Sequence, residues 1–170
     1  MIELKQENVM RKIIIEKVIL SVGGIADKLE KGYKLLALLS GMKPLITKSK
    51  KRIPSLGVRP GLEVGAIVSL RGLKMGEILK KLLEAREKRL KASQVSENTL
   101  SFGIKEYIEI PGIEYQRDIG IIGLDVTITF ARKGRHIVYK KSGGKLPRKQ
   151  HISKEEIINF MKDNFKLEFE

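Results

Sequence analysis

The chain has no cysteine and no tryptophan among its 170 residues. The lack of cysteine excludes disulfide bonds, thiolate nucleophiles and cysteine-bound zinc, and it favours a reducing, cytosolic compartment. No apolar run approaches the roughly 20 residues of a membrane-spanning helix. The N-terminus, MIELKQENVMRK, lacks the apolar core of a signal peptide. We therefore expect a mature, soluble, cytoplasmic protein that does not bind membranes.

Acidic residues are missing from two long stretches, although the whole chain has 20 of them against 34 basic residues. From Lys31 to Gly76 ten basic residues accompany one acid, Glu63, and from Val126 to Lys154 nine basic residues accompany none. These stretches, the first and second basic tracts, each carry a net charge of +9, so the remainder sums to −4. A charge run is often only a solvated face. Segregation on this scale favours a surface that binds a polyanion.

The apolar pattern predicts strands and helices that share one core. Predicted strands cover residues 12–22, 44–48, 64–71, 102–110 and 124–131. Predicted helices cover residues 28–40, 74–91 and 154–165, with Asp27 as the cap of the first and a Ser153–Glu156 capping box before the last. Helices between largely non-consecutive strands indicate an α+β fold, in which helices pack on an antiparallel or mixed sheet.

Two basic loops lie outside this pattern. Two prolines and two glycines are expected to keep the first loop, residues 51–63, irregular and exposed. The second loop spans residues 132–150, and residues 93–99 read as a polar linker. With 42% hydrophobic residues the chain can form one good core. We expect a single domain over residues 1–170 from which both loops protrude.

Catalytic chemistry has little support in the sequence. The two histidines, His136 and His151, are fifteen residues apart and fit no metal-binding spacing, so we interpret them as loop or helix-entry residues. Asp118 and Asp125 have the surroundings of turn and strand-edge residues rather than of a general acid and base. We therefore expect no enzymatic activity, no cofactor and no metal site.

The polyanion that fits best is a folded RNA. The chain has only nine aromatic residues, which argues against a platform on which bases stack. Helix-turn-helix and zinc-finger patterns are missing. Recognition of shape and backbone by lysine, arginine and small hydroxyl residues remains. If seven cations touched phosphates, the log–log salt dependence of binding would have a slope of roughly −5 to −6.

Several ordered motifs resemble those of one family. They are IEKVILSVG (15–23), SGMKPLITKSK (40–50), GVRPG (57–61), VSLRG (68–72), LSFGIKEYIEIPGIEY (100–115), IGIIGLDVTI (119–128) and HISKEE (151–156). Together they resemble the universal large-subunit ribosomal protein five family, in its archaeal and eukaryotic form, over nearly the whole chain. Because several motifs occur in order and at family spacing, the resemblance is much stronger than any one motif.

The resemblance implies a structural protein of the large ribosomal subunit. Such a protein binds 5S ribosomal RNA and helps attach it to the subunit in the central protuberance, beside other large-subunit RNA and proteins. The resemblance also implies a bridge to small-subunit ribosomal protein thirteen, and a loop, here residues 51–63, that approaches P-site transfer RNA. A free RNA-binding assembly factor or RNA chaperone is the alternative, because basic tracts alone would suffice for it.

Candidate contact residues follow in three sets. The RNA-facing set that the resemblance implies is Ser21, Lys43, Lys48, Ser69 and Arg71, to which we add the basic residues Arg11 and Lys50. The set nearest transfer RNA is Lys51, Arg52, Ser55, Gly57 and Arg59. The set in the second basic loop is Arg132, Lys133, Arg135, Lys140, Lys141, Lys145, Arg148 and Lys149.

Three positions of the RNA-facing strands depart from the family's usual residues. Ser21 stands where the family usually has asparagine, and Ser69 where it usually has threonine. Both substitutions keep a hydrogen-bonding side chain. Met42 stands where the family has a polar residue such as glutamine, so this side chain offers RNA no comparable hydrogen bond.

Overall fold

The computed structural model describes residues 8–140, 142–145 and 147–170, without the side chain of Lys149. The strands are β1 (Ile13–Gly23), β2 (Leu45–Lys48), β3 (Glu63–Leu70), β4 (Arg89–Leu90), β5 (Val95–Ser96), β6 (Thr99–Ile104), β7 (Leu124–Arg132) and β8 (Glu168–Phe169). The helices are α1 (Asp27–Ser40), α2 (Leu73–Glu84), α3 (His136–Tyr139) and α4 (Lys154–Phe165). Short 3-10 turns occupy Val9–Arg11, Pro54–Leu56, Ala92–Gln94, Tyr107–Glu109 and Arg148–Gln150.

The main sheet has six strands in the order β2-β3-β1-β7-β6-β5. Each neighbouring pair in it is antiparallel. The short strands β4 and β8 form a separate parallel pair, which fastens the C-terminal end of the chain to the segment after α2. This architecture confirms the predicted α+β fold.

The period-two pattern of the strands separates the sheet into an inner and an outer face. On β1 the inward residues Val18, Leu20 and Val22 are buried, and Leu20 lies between Val68 of β3 and Val126 of β7. Helix α1 packs on the inner side of β1 and β3, and α2 contacts β1 there. Burying one such aliphatic side chain contributes about 1.5–3 kcal/mol. Hydrophobic burial therefore keeps these helices on one side of the sheet.

One glycine permits the close approach of α1 to the sheet. A Cβ atom on Gly32 would lie 2.6 Å from Cγ1 of Val22, a stiff β-branched side chain that cannot easily move away. A larger residue at this position would force α1 or Val22 to shift, so glycine allows the helix to approach β1 this closely. Gly41, with a φ of 62°, ends the helix in the left-handed conformation.

Several predicted boundaries were wrong because long-range pairing overrides local propensity. The helix predicted to reach residue 91 ends at Glu84, since Glu87 and Lys88 adopt positive φ angles and the chain turns into β4. The predicted strand 102–110 ends at Ile104 and continues into a 3-10 turn. The predicted linker 93–99 contains β5.

Caps were predicted with mixed success. Asp27 is the first residue of α1 rather than its cap, and the capping residue Ala26 accepts no side-chain hydrogen bond. The capping box of α4 is confirmed, since the Ser153 hydroxyl accepts from the Glu156 N–H and the Glu156 carboxylate accepts from the Ser153 N–H. Within the described ranges, no helix has both the length and the apolar character needed to cross a bilayer.

Candidate nucleic-acid interface

The outer face of the sheet is open, because the side chains at its centre are exposed or half-buried. Ser21 lies opposite Ile67 of β3 and Asp125 of β7 on this face, and Ser69 lies opposite Ile19. Ser69 is exposed and Ser21 is half-buried. The structure therefore brings the two predicted hydroxyl contacts onto one accessible surface, on neighbouring strands.

Sequence reasoning missed the continuation of this surface across β7 and β6. The Ser101 and Thr127 hydroxyls are 3.2 Å apart and lie on the same outer face. Asp125 is exposed beside them, and its Oδ1 would lie 3.2 Å from a Cβ atom on Gly103, so glycine there leaves room for the carboxylate. Alternation of Ser and Thr with buried aliphatic residues along both strands was the signal that could have identified these positions.

The predicted cations lie at the ends of the strands that form this surface. Lys43, Lys50 and Arg71 are exposed, and each lies just outside β2 or β3. Lys48 ends β2, and its Nζ is 3.8 Å from Oε1 of Glu63, a pair exposed enough to contribute little to stability. Arg11 is exposed in the turn before β1. These positive charges can therefore reach a polyanion lying on the sheet.

The loop between β2 and β3 is a hairpin held by its own backbone hydrogen bonds, so the prediction of an irregular loop was wrong. Ile53 and Val58 exchange both backbone hydrogen bonds, at 2.9 and 3.1 Å, around the 3-10 turn Pro54–Leu56. The Ser49 N–H donates to the Leu62 carbonyl at 2.8 Å, and the Gly61 N–H donates to the Ser49 carbonyl at 2.9 Å. The breakers therefore shape the hairpin's turn and do not prevent pairing.

This hairpin presents its side chains outward. Lys51, Arg52, Ser55 and Arg59 are exposed, whereas Val58 is buried. Gly57 has a φ of 66° and occupies the left-handed position that ends the 3-10 turn. The predicted cations of the loop are thus displayed by a backbone whose own hydrogen bonds hold its shape.

The second basic tract is held by acidic residues from outside the tract. Arg132 Nη2 donates to both carboxylate oxygens of Glu156, at 2.8 and 2.7 Å, which ties the end of β7 to the first turn of α4. Arg135 Nη1 donates to Oε2 of Glu16 on β1. The remaining described cations of the predicted set, Lys133, Lys140, Lys145 and Arg148, are exposed. Lys141 and the side chain of Lys149 lie outside what the structure describes.

Glu16 also accepts a hydrogen bond from the Tyr139 hydroxyl, at 2.7 Å to Oε1. This hydrogen bond raises the pKa of Tyr139, as do burial and the charge of Glu16, whereas Arg135 and Arg71 act in the opposite direction. Arg71 directly follows Leu70 of β3, which pairs with Val18 of β1, so the first basic tract comes close to Glu16 along the neighbouring strand. Sequence reasoning had no signal for this arrangement.

His151 makes a structural contact with Asn98. The His151 Nδ1 lies 3.1 Å from Nδ2 of Asn98, whose Oδ1 accepts from the Ile152 N–H. In the described part of the chain, no three His, Asp or Glu side chains are grouped to hold a metal ion.

The Met42 side chain is exposed next to β2, and the backbone of Met42 is fixed by hydrogen bonds with the Ser40 hydroxyl.

Comparison with known proteins identifies the family. The model of "Ribosomal protein L5" matches residues 8–59, and a second model, which describes the C-terminus of the same ribosomal protein family, matches residues 63–160. The chain is 43% identical to large ribosomal subunit protein uL5 of Sulfolobus acidocaldarius, covering 97% of this chain and 95% of that protein. The uL5 proteins of Nanoarchaeum equitans (43% identity, 92% and 95% covered) and Methanosphaera stadtmanae (41%, 96% and 99%) are similarly close. The chain therefore belongs to the ribosomal protein L5 family, whose members are structural constituents of the large ribosomal subunit and not enzymes.

Proposed function

We propose that this protein binds 5S ribosomal RNA through the outer face of its sheet and helps attach that RNA to the large subunit in the central protuberance. The observation that carries the proposal is the open strip of hydroxyl side chains, which includes Ser21 and Ser69, with exposed cations at the strand ends. Small hydroxyl side chains let an RNA backbone approach the sheet closely, and lysine and arginine supply the charge.

The hairpin between β2 and β3 is the part proposed to contact P-site transfer RNA. Its backbone hydrogen bonds support a pre-organised shape, so little ordering would be required when it meets a second RNA. Lys51, Arg52 and Arg59 are its exposed cations. Their charge suits a phosphate backbone and implies no reading of base sequence.

The segment between β6 and β7 is the part proposed to form the bridge to small-subunit ribosomal protein thirteen. Unlike the basic tracts, residues 105–123 contain four acidic residues against two basic ones. Ile108, Tyr115 and Ile121 are exposed on the segment. Exposed apolar side chains among acids suit a protein partner better than a polyanion.

Binding to 5S RNA is tested by gel shift against a size-matched folded RNA while the salt concentration is raised. We expect preferential binding to the 5S transcript, with a salt slope that reflects several phosphate contacts. Equal affinity for both RNAs would contradict specific binding to 5S RNA. Co-sedimentation with large subunits through a high-salt wash separates a stable constituent from a free assembly factor or RNA chaperone, which should wash off.

A further inference from the structure

The carboxylate of Glu16 lies where the two basic tracts come close together. Arg135 and Tyr139 of the second tract both donate to it, and Arg71 of the first tract follows Leu70, which pairs with Val18, two residues after Glu16. The Glu16 side chain is only 18% exposed, so it is held between these partners rather than solvated. An acid in this position counteracts the repulsion between converging cations.

A bulge in β1 places Glu16 there. Pairing with β7 passes from Ile15 opposite Phe130 to Lys17 opposite Thr129, so Glu16 is an extra residue in the strand. A bulge re-aims the side chain of the extra residue, and such irregularities are common beside functional sites. At this bulge the Glu16 carboxylate meets Arg135 and Tyr139, both of which follow β7 in the chain.

The arginines around Glu16 keep donors for a ligand. Only Nη1 of Arg135 is bonded to Glu16, and its other N–H donors make no further hydrogen bond within the described residues. Arg71 is exposed and has no hydrogen bond or ion pair to any residue that the structure describes. Tyr139 is also exposed, at 61%, and its oxygen can still accept a hydrogen bond. Two guanidinium groups with open donors match the geometry of a phosphate.

We infer that Arg71, Arg135 and Tyr139 form a single site for an RNA backbone phosphate, in which Glu16 is a positioning residue that holds Arg135 and Tyr139 beside Arg71. The site joins the two basic tracts across the start of β1. The inference rests on the proposed function, since it takes the phosphate to belong to the bound ribosomal RNA.

One substitution separates this role from simple electrostatics, because the two explanations predict opposite changes in the affinity for RNA. Replacing Glu16 by glutamine makes the protein more positive, so charge alone predicts tighter binding to RNA. If Glu16 positions Arg135, the same change releases the guanidinium and weakens binding. Contacts within one network are coupled, so the loss should also disappear once Arg135 itself is replaced.

The experiment measures fluorescence anisotropy of a labelled archaeal 5S RNA transcript with the full chain. We expect Glu16→Gln to weaken binding about fivefold or more in the wild-type background, and to cause no further loss of binding in an Arg135→Gln background. Tyr139→Phe removes one hydroxyl from an exposed ring, and it should weaken binding about twofold in the wild-type background only. The control is Glu77→Gln, an identical charge change on the exposed side of α2, which should not weaken binding.

Wild-type or tighter affinity of Glu16→Gln, or an equal loss with and without Arg135, overturns the inference. Melting curves show whether Glu16→Gln is folded; if it is not, the Tyr139→Phe and Arg135→Gln pair decides by the same coupling. A different pattern of affinities is expected if the inference holds but 5S RNA is not the specific ligand. In that case the wild-type protein does not prefer 5S RNA to a matched RNA, whereas the coupling through Glu16 is still measurable on either RNA.

Discussion

The hairpin between β2 and β3 and the segment after β7 are both rich in cations, but they are held in different ways. Backbone hydrogen bonds such as those between Ile53 and Val58 shape the hairpin, so its cations are left exposed. Arg132, at the end of β7, and Arg135, just after it, instead bind the carboxylates of Glu156 and Glu16. In the proposed function, similar charge therefore serves RNA binding directly in the hairpin, whereas in the second tract it serves both anchoring and binding.

The largest expected effect comes from removing cations around the hairpin. Replacing Lys48, Lys50, Lys51 and Arg52 by alanine should flatten the log–log salt slope of RNA binding by roughly 3, because about four phosphate contacts are lost. The melting temperature should hardly change, since the four side chains are exposed. Nitrocellulose filter binding at several salt concentrations measures the slope.

The matched control removes the same charge from the helical layer. Lys28, Lys80, Lys81 and Lys162 are exposed residues of α1, α2 and α4. Their replacement by alanine should leave the salt slope nearly unchanged. If both quadruple variants lose binding equally, net charge matters and the hairpin surface has been placed wrongly.

A smaller effect, on stability, is expected in the second tract. Arg132→Met removes a partly buried guanidinium, 14% exposed, from the Glu156 carboxylate. The free energy of unfolding should fall by about 1–2 kcal/mol, and the melting temperature by roughly 2–8 °C for a chain of this size. Urea denaturation monitored by circular dichroism measures the change.

The neighbouring exposed residue provides the control, since the stability of Lys133→Met should stay within about 0.5 kcal/mol of the wild type. Equal stability of both variants would mean that the ion pair between Arg132 and Glu156 does not anchor the second tract, and that the two cation-rich regions are not held in different ways.

The smallest effect should be confined to the hairpin tip. Gly57→Ala places a Cβ in open space but in the left-handed region, which costs about 1–2 kcal/mol. We expect faster amide exchange at Ile53 and Val58, with little change in global stability. Gly57→Asn should exchange more slowly than the alanine variant, because asparagine tolerates this conformation. Identical exchange in all three proteins would mean that the tip does not depend on Gly57.

Much of the fold could be predicted from local patterns. Strands β1 and β7 are long and rich in Ile, Val and Thr, and the capping box of α4 satisfies its own backbone groups, so both signals were reliable. Prediction failed where pairing partners are far apart. Strand β4 exists because β8, near the other end of the chain, pairs with it, and no window of local sequence contains that information.

The residues of the candidate site were likewise predictable from the sequence only in part. The family resemblance implied Ser21, Ser69 and the cations beside them without knowledge of the fold, because the ordered motifs that carry it are read directly from the sequence. The neighbouring hydroxyls of Ser101 and Thr127 became part of the surface only through the register of β6 on β7.

By itself, the sequence determined that this chain belongs to the ribosomal protein L5 family, because the order of the motifs is carried by the chain directly. Tertiary structure alone decided how the two basic tracts are organised. Glu16 is separated from Arg135 by 119 residues and from Tyr139 by 123, and only the β1 bulge with antiparallel pairing to β7 brings them together. The physical reason is that local propensity acts over a few residues, whereas ion pairs and sheet register depend on where the whole chain folds.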